Sequence, residues 1–156
     1  MTADRRCTLR PAAMSDMAAC AWILNHWIDA TPWMPRVHPD DDVERYFREY
    51  LFPDQEVIVA ETDQGVAGFL ALSRDSMISQ FYLAGEFRNR RLGHRLLSEA
   101  KRKRPDGLRL WTFVANTGAR RFYEREGFVE QGRTDGDNEE KLPDILYRWP
   151  GEEGRP

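Results

Sequence analysis

A basic turn lies between an apolar run and a helical pattern, and its residue types suit the binding of an anion. Residues 88–93 read Arg-Asn-Arg-Arg-Leu-Gly. Where a strand stops at the start of a helix, the first helical turn presents unpaired backbone N–H groups, with the positive end of the helix dipole behind them. The sequence therefore predicts an anion site at the start of the helix that follows.

The segments that flank this turn have the patterns needed to hold it in place. Residues 78–83 predict a short strand, and apolar residues recur at helical spacing over 92–100. Pro105 and Gly107 end this helix, and residues 108–114 predict a further strand. A strand, a helix and a strand in this order make a parallel crossover, which should be right-handed.

The remaining elements follow from the same kinds of pattern. Helical spacing covers residues 14–28, 43–51 and 117–126, and β-rich runs cover residues 7–10, 56–61, 66–72, 128–133 and 145–149. Ser15 and Asp16 are candidate caps of the first helix, and Asn116 is a good N-cap for the helix that Gly127 ends.

The order of these elements predicts an α/β fold. We expect a mixed, mostly antiparallel central sheet with one parallel crossover and helices on both faces. A single domain should span residues 1–156, with its core at about 7–149 and solvated tails at both ends. Exposed strands near the C-terminus make a homodimer feasible, but nothing in the sequence requires one.

Composition excludes several classes of protein. The 156 residues are 41% hydrophobic and 31% charged, with a net charge of −3, which is typical of a globular protein and calls for no nucleic acid. Cys7 and Cys20 have neither metal-ligand spacing nor the density of a disulfide scaffold, so we expect both to be reduced and buried. No stretch approaches the roughly 20 apolar residues of a membrane span, and the N-terminus lacks a signal-peptide core. The cytoplasm is the expected compartment.

A second motif follows the basic turn of residues 88–93. It comprises Asn116 after a strand, the aromatic pair at 122–123, and Gly-Phe at 127–128. Together the two motifs resemble those of the GNAT superfamily of acyl-CoA N-acyltransferases. In that family the first motif is Gln or Arg, two residues, Gly, one residue, then Gly or Ala; Arg88 takes the first place here and Gly93 the last. The resemblance covers roughly residues 7–149 and is strongest over 78–128.

Arg91 departs from the first motif, because the family has its middle glycine at this place. Either residue 91 has a conformation that tolerates a side chain, or the loop is slightly opened. An arginine here would also be able to contact a phosphate directly.

The resemblance implies acetyl-CoA as the co-substrate and no metal. It implies that the cofactor is bound by Phe81, Tyr82, Leu83, Arg88, Asn89, Arg90, Arg91, Leu92, Gly93, His94, Asn116 and Phe122. It also implies direct transfer, in which an uncharged amine attacks the thioester and backbone N–H groups around 81–83 hold the oxyanion. Tyr123 is then placed to protonate the leaving thiolate, since its ordinary pKa of about 10 keeps it protonated at neutral pH. Core packing is the structural alternative for Tyr123.

The general base remains open in the sequence. Many members of the family have a carboxylate near the start of the motif strand, where this chain reads Ile78-Ser79-Gln80. The alternatives are ordered water or one of four side chains, namely Glu56, Glu61, Asp75 and His38.

The acceptor is expected to be a primary amine of a small molecule or peptide. The candidates for its pocket, on the first helix and the proline-rich loop of residues 30–42, are His26, Trp27, Trp33, Met34, Arg36 and His38. An acidic run would attract a cationic amine through Asp137, Glu139, Glu140 and Asp144. The structural alternatives are a core position for Trp27 and a solvated loop for the acidic run.

The sequence is therefore compatible with two functions of different classes. The first is an N-acetyltransferase that uses acetyl-CoA, which Tyr123 favours. The second is a catalytically silent acyl-CoA-binding or sensor domain, for which the missing glycine and the unidentified base leave room. A nucleotide-binding regulator is disfavoured because the chain lacks a Gly-Lys-Ser/Thr phosphate loop.

Overall fold

The computed structural model describes residues 7–88 and 91–152. Its strands are β1 (Thr8–Pro11), β2 (Glu56–Thr62), β3 (Gly65–Leu72), β4 (Ile78–Leu83), β5 (Leu108–Phe113), β6 (Val129–Thr134) and β7 (Asp144–Trp149). Its helices are α1 (Met17–Ala30), α2 (Asp40–Tyr46), α3 (Phe52–Asp54), α4 (Leu92–Lys103) and α5 (Thr117–Arg125), and none of them is long and apolar enough to cross a membrane. The predicted order of strands and longer helices is confirmed, with most boundaries within three residues.

The strands form two sheets that meet at one point. The first has the antiparallel order β1-β2-β3-β4, and the second has the order β5-β7-β6. Within the described residues, one parallel bridge joins the two sides of the predicted crossover, between Met77, just before β4, and Arg109 of β5. Beyond this bridge β4 and β5 diverge instead of pairing along their length.

A bulge in β4 accounts for this divergence. Leu72 pairs with Ile78 but Ala71 pairs with Gln80, so Ser79 is an extra residue in the ladder. Such a bulge bends its strand and increases its twist. Because the bulge lies next to the bridge, the rest of β4 turns away from β5 and a gap opens between the two sheets.

The first sheet is covered by helices on both faces, as predicted. Because side chains alternate along β3, Phe69 and Ala71 pack in a core with α1 and with the helical segment Phe47–Leu51 that follows α2. Leu70 and Leu72 point into the other core, which α4 and the second sheet complete. Cys7 lies at the edge of this second core and Cys20 in the first, and both are buried as expected.

The second helical region differs from the predicted helix of residues 43–51. It begins earlier, at Asp40, and continues past α2 as a π-helical segment, Phe47–Leu51, before α3. Pro53 cannot donate a hydrogen bond to the carbonyl of Glu49, which disfavours a regular α-helical ladder just before α3. The wider turn keeps Phe47 and Leu51 buried against the sheet.

Candidate active site

A cleft of about 940 Å³ occupies the gap between the diverging strands. It is lined from α1, β4, the turn before α4, β5 and α5. The predicted site residues among its lining are Trp27, Phe81, Tyr82, Leu83, Arg88, Arg91, Gly93, His94, Asn116, Phe122 and Tyr123. The predicted residues Asn89 and Arg90 lie outside the described residues. Leu92 is buried in the core, which leaves its backbone but not its side chain for a ligand.

Because side chains alternate along β4, Phe81 and Tyr82 face opposite sides of the cleft. The ring of Phe81 lies on the α5 side, with its centre 6.1 Å from that of Phe122 and 6.3 Å from that of Tyr123. The ring of Tyr82 lies on the α1 side, 5.2 Å from Trp27. Among the residues that the structure describes, the β4 edge that faces β5 has no strand paired to it beyond the Met77–Arg109 bridge. This edge can present backbone N–H groups to a bound molecule.

Arg91 has a left-handed backbone, with φ 38° and ψ −2°, and directly precedes α4. Glycine enters this region without steric cost, whereas a residue with a side chain costs about 1 kcal/mol there. The structure therefore supports the first of the two alternatives for residue 91, a conformation that normally favours glycine. The Arg91 side chain lines the cleft.

Gly93 is buried in the first turn of α4 at the cleft wall. A Cβ at this position would lie 3.4 Å from Cζ of Phe122. A larger side chain would therefore crowd the aromatic wall and enter the space in front of the helix N-terminus.

Basic side chains line the cleft around the start of α4. Arg88 and Arg91 precede this helix, His94 lies in its first turn, and Arg125 of α5 lines the same cleft. The His94 Nδ1 lies 2.9 Å from a carboxylate oxygen of Glu126, which fixes the imidazole at the mouth of the cleft. Together with the start of a 12-residue helix, these groups form a site suited to a phosphate-bearing ligand.

Sequence reasoning missed Arg125 and the cleft-facing residues of β5. Arg125 follows Tyr123 by two residues at the end of α5, so its charge and its place on the helix were visible in the sequence, but its position in the cleft lining was not. The β5 residues that line the cleft are Leu110, Trp111, Thr112 and Phe113. They line it because β5 separates from β4, which strand periodicity does not indicate.

Tyr123 lies in an aromatic cluster on the inner wall of the cleft. Its ring packs on Phe81, Phe122, Phe128 and Tyr147, with ring centres 5.5 to 6.3 Å away. Burial, and then the nearby Tyr82 hydroxyl, raise the pKa of Tyr123 well above its ordinary value. The raised pKa favours the protonated phenol, and Tyr123 both packs in this cluster and lines the cleft, so core packing and a role as proton donor are compatible.

Asn116 is the N-cap of α5, as predicted. Its Oδ1 accepts a hydrogen bond from the backbone N–H of Ala119 at 3.2 Å. Because the side-chain oxygen is engaged, the groups that Asn116 can offer to a ligand are its side-chain N–H donors and its backbone.

The four candidate bases lie outside the cleft lining. Glu56 is paired with Lys103 at 2.6 Å, Glu61 with Arg10 at 3.1 Å, and His38 with Glu139 at 2.9 Å. Asp75 accepts a hydrogen bond from Ser73. These partners lower the pKa of all three candidate carboxylates, which makes them weaker bases. Among the described residues, the carboxylate that lines the cleft is Glu126, and it is bound to His94.

The expected acceptor residues have different positions. Trp27 lines the cleft, and Trp33 packs against both Trp27 and Phe113 with ring centres 5.8 Å apart. Met34 donates its backbone N–H to Thr31, within the loop after α1. His26 is exposed and stacks on Trp22.

Arg36 has a structural role that the sequence did not indicate. Its guanidinium contacts Asn25, Asp29 and Asp40, each at 3.0 Å. It ties the proline-rich loop to α1 and to the start of α2. Arg36 does not line the cleft, so the expectation that it binds the acceptor lacks support from its position.

Comparison with known proteins agrees with this geometry. A family model described as an acetyltransferase (GNAT) domain matches residues 53–130, half of the chain. No curated protein sequence matches the chain at a significant level. Among the described residues, no group of three or more His, Cys, Asp or Glu side chains is arranged to hold a metal ion.

Several solved structures share the fold over nearly the whole chain. YjaB from Escherichia coli, in its apo form, is 21% identical with a TM-score of 0.75, and the match covers 93% of this chain and 98% of that one. yncA from Salmonella typhimurium, solved with its cofactor acetyl-CoA, is 20% identical with a TM-score of 0.71 and coverages of 97% and 98%. An N-acetyltransferase from Staphylococcus aureus Mu50 is 19% identical with a TM-score of 0.72 and coverages of 91% and 96%.

The fold, the cleft and the family match define an acyltransferase. The chain belongs to the GNAT acetyltransferase family, and its general activity is acetyl transfer.

Proposed function

We propose that this protein transfers the acetyl group of acetyl-CoA to a primary amine of a small molecule or peptide by direct attack within a ternary complex. The observation that carries the proposal is the set of groups that line one cleft. They are a basic helix N-terminus, an open strand edge and Tyr123, and Trp27 of α1 lines the same cleft.

The α4 end of the cleft suits the diphosphate of the donor. Arg88 and Arg91 supply charge, and the first turn of α4 supplies backbone donors. From there the α5 wall, with Phe122 and Asn116, leads to the open edge of β4. A thioester carbonyl beside this edge would meet fixed backbone N–H donors, which stabilise an oxyanion more strongly than water does.

The chemical step needs one proton donor at the leaving group. The amine nitrogen forms a bond to the carbonyl carbon, and the carbonyl oxygen becomes an oxyanion. Its collapse breaks the carbon–sulfur bond, and Tyr123 donates its proton to the departing sulfur. The amine loses its own proton to water, since the candidate carboxylates are paired outside the cleft. Tyr123 then regains a proton from solvent.

The test is thiol release from acetyl-CoA in the presence of a panel of primary amines. Tyr123→Phe should lower kcat by about a hundredfold, a typical loss for a proton donor, and leave the KM for acetyl-CoA nearly unchanged. Tyr147→Phe is the matched control. Its buried ring packs on Tyr123, but its hydroxyl donates to Glu124 at 2.7 Å and the residue does not line the cleft.

The pH dependence of kcat provides a second readout. The donor is active while protonated, and its raised pKa extends the protonated range upward, so kcat should show no falling limb below about pH 10. An undiminished rate in Tyr123→Phe would assign the proton to another group. CoA binding without thiol release for any amine would overturn the proposal and is the result expected of a catalytically silent domain.

A further inference from the structure

Glu126 places a carboxylate in the lining of the cleft, next to the basic start of α4. It directly follows α5, and its side chain is only 15% exposed, so its negative charge is largely removed from water. A carboxylate beside the site of a phosphate-bearing ligand repels that ligand unless N–H groups or cations compensate its charge. The contacts of Glu126 supply this compensation.

Two side chains of α4 contact the Glu126 carboxylate. The His94 Nδ1 lies 3.0 and 2.9 Å from its two oxygens, and the Lys101 Nζ lies 3.7 Å from Oε1. The Lys101 ammonium group also donates a hydrogen bond to the backbone carbonyl of Glu126. Glu126 therefore ties the end of α5 to α4, and its charge is balanced within the wall of the cleft.

The contact with Glu126 determines which nitrogen of His94 is available to a ligand. An ionised carboxylate only accepts hydrogen bonds, so Nδ1 carries the proton that it donates to Glu126. The other nitrogen, Nε2, has the Ser98 hydroxyl at 3.4 Å, which is long for a hydrogen bond. Because the imidazole lines the cleft and its side chain is 48% exposed, a ligand group can replace this weak contact.

We propose that Glu126 is a positioning residue for the donor: it holds the His94 imidazole so that Nε2 contacts the diphosphate of acetyl-CoA. His94 is the third residue of α4 and lies in its first turn, directly after Gly93 and close to Arg91. With Nδ1 bound to the carboxylate, the cationic imidazole donates a charge-assisted hydrogen bond to a phosphate oxygen through Nε2. The inference rests on the proposed function, because it assigns a role within the donor site of the same cleft.

Calorimetry of CoA binding tests this role, because repulsion and positioning predict changes of opposite sign. If Glu126 only repelled the diphosphate, Glu126→Gln would bind CoA more tightly. Because Glu126 positions His94, we expect Glu126→Gln to bind CoA about fivefold more weakly, since an amide can donate or accept and no longer selects one tautomer. Glu99→Gln is the matched control, since it removes a carboxylate of α4 that pairs with Arg102 and does not line the cleft. It should change the Kd by less than about twofold.

A double-mutant cycle with His94→Gln separates positioning from a structural effect. In the His94→Gln background, Glu126→Gln should no longer weaken CoA binding, because the group that it positions is absent. Dephospho-CoA, which keeps the diphosphate but lacks the 3′-phosphate, should show the same loss as CoA in Glu126→Gln. Additive effects of the two substitutions, or tighter CoA binding in Glu126→Gln alone, would overturn the inference. A loss confined to CoA would place the contact at the 3′-phosphate and overturn the assignment to the diphosphate.

Nitrogen NMR of the imidazoles gives a readout that needs no substitution at Glu126. The chain has three histidines, so the His94 signals can be assigned by their loss in His94→Gln. Addition of CoA should shift the Nε2 signal of His94 more than its Nδ1 signal, and an unchanged Nε2 signal would overturn the inference. None of these measurements requires turnover. Absence of thiol release with every amine would therefore refute the proposed function alone.

Discussion

Arg91 combines two properties that bear on the same ligand. Its left-handed backbone sets the direction in which the chain enters α4, and its side chain lines the basic end of the cleft. A glycine would adopt this backbone at no steric cost but would bring no charge. The arginine that replaces the family's glycine therefore carries a steric cost in its backbone and adds a cation beside the expected diphosphate.

Substitution of Arg91 by glycine separates these two effects. Relief of the left-handed backbone should raise the free energy of unfolding by up to about 1 kcal/mol, while loss of the cation should weaken CoA binding by about tenfold. Urea unfolding and calorimetry measure the two quantities. Ser76→Gly is the control, since Ser76 also has a positive φ of 65° but does not line the cleft; it should change stability alone. Unchanged CoA affinity in Arg91→Gly would mean that the arginine makes no phosphate contact.

The site residues that the sequence could identify belong to motifs that are local in the chain. Gly93, Asn116 and Tyr123 belong to motifs whose spacing is fixed by one helix each, and the cleft brings all three together. The ion pairs of Arg36 with Asp29 and Asp40 could not be predicted, because the path of a proline-rich loop brings these partners to it. Pairing of this kind depends on tertiary structure and leaves no periodic signal.

At the scale of elements, Asp16 joins the first strand to the first helix. Its carboxylate accepts hydrogen bonds from the Arg10 guanidinium at 2.8 and 3.0 Å and from the Ala13 N–H at 2.7 Å. Asp16 was expected to cap α1, but its side chain bonds upstream and caps the short 3₁₀ turn at Met14–Asp16 instead. The hydrogen bonds from Arg10, and then that from Ala13, hold the pKa of Asp16 below its ordinary value against the opposing effect of burial.

Removal of this carboxylate should destabilise the fold in a pH-dependent way. Asp16→Ala should cost about 2 kcal/mol at pH 7, because Arg10 and the Ala13 N–H lose a largely buried charged partner. The lowered pKa contributes stability above the unfolded-state pKa of about 3.9, and this contribution is lost as the pH falls through the folded-state value. Urea unfolding should thus show a difference from wild type that shrinks below about pH 4.

Glu99→Ala is the control for this effect, since it removes a more exposed ion pair with Arg102. It should cost less than about 1 kcal/mol. A difference between Asp16→Ala and wild type that stayed constant from pH 7 to pH 3 would contradict the assignment.

The spacing of apolar residues predicted the strands and helices, but it did not predict the gap between β4 and β5. The residues of β4 alternate normally, and the bulge at Ser79 is a shift of one residue in the ladder with β3. Such a shift depends on the partner strand, so it leaves no mark in the sequence of β4 itself. The hairpin between β2 and β3 was predictable because its turn, residues 62–65, carries its own signal.

At the scale of the whole molecule, the cleft is the place where the two sheets separate. Each sheet has its own hydrogen-bond network, and among the described residues the strands that flank the gap are joined by one bridge, Met77–Arg109. A donor molecule in the cleft would contact β4 and α4 on one side and β5 and α5 on the other. Binding should therefore stabilise the fold as a whole.

CoA at about a hundred times its Kd should stabilise the folded state by about 2.7 kcal/mol and raise Tm by about 5 to 10 °C. Gly93→Asp should abolish this shift, because the new carboxylate places a negative charge at the helix N-terminus and crowds Phe122. Gly132→Asp is the matched control, since that glycine lies on β6, has open space around its Cβ position and does not line the cleft. It should lower the starting Tm slightly and retain the full shift. A full shift in Gly93→Asp as well would place the CoA diphosphate away from the start of α4. The orientation assigned to both substrates would then be wrong as well.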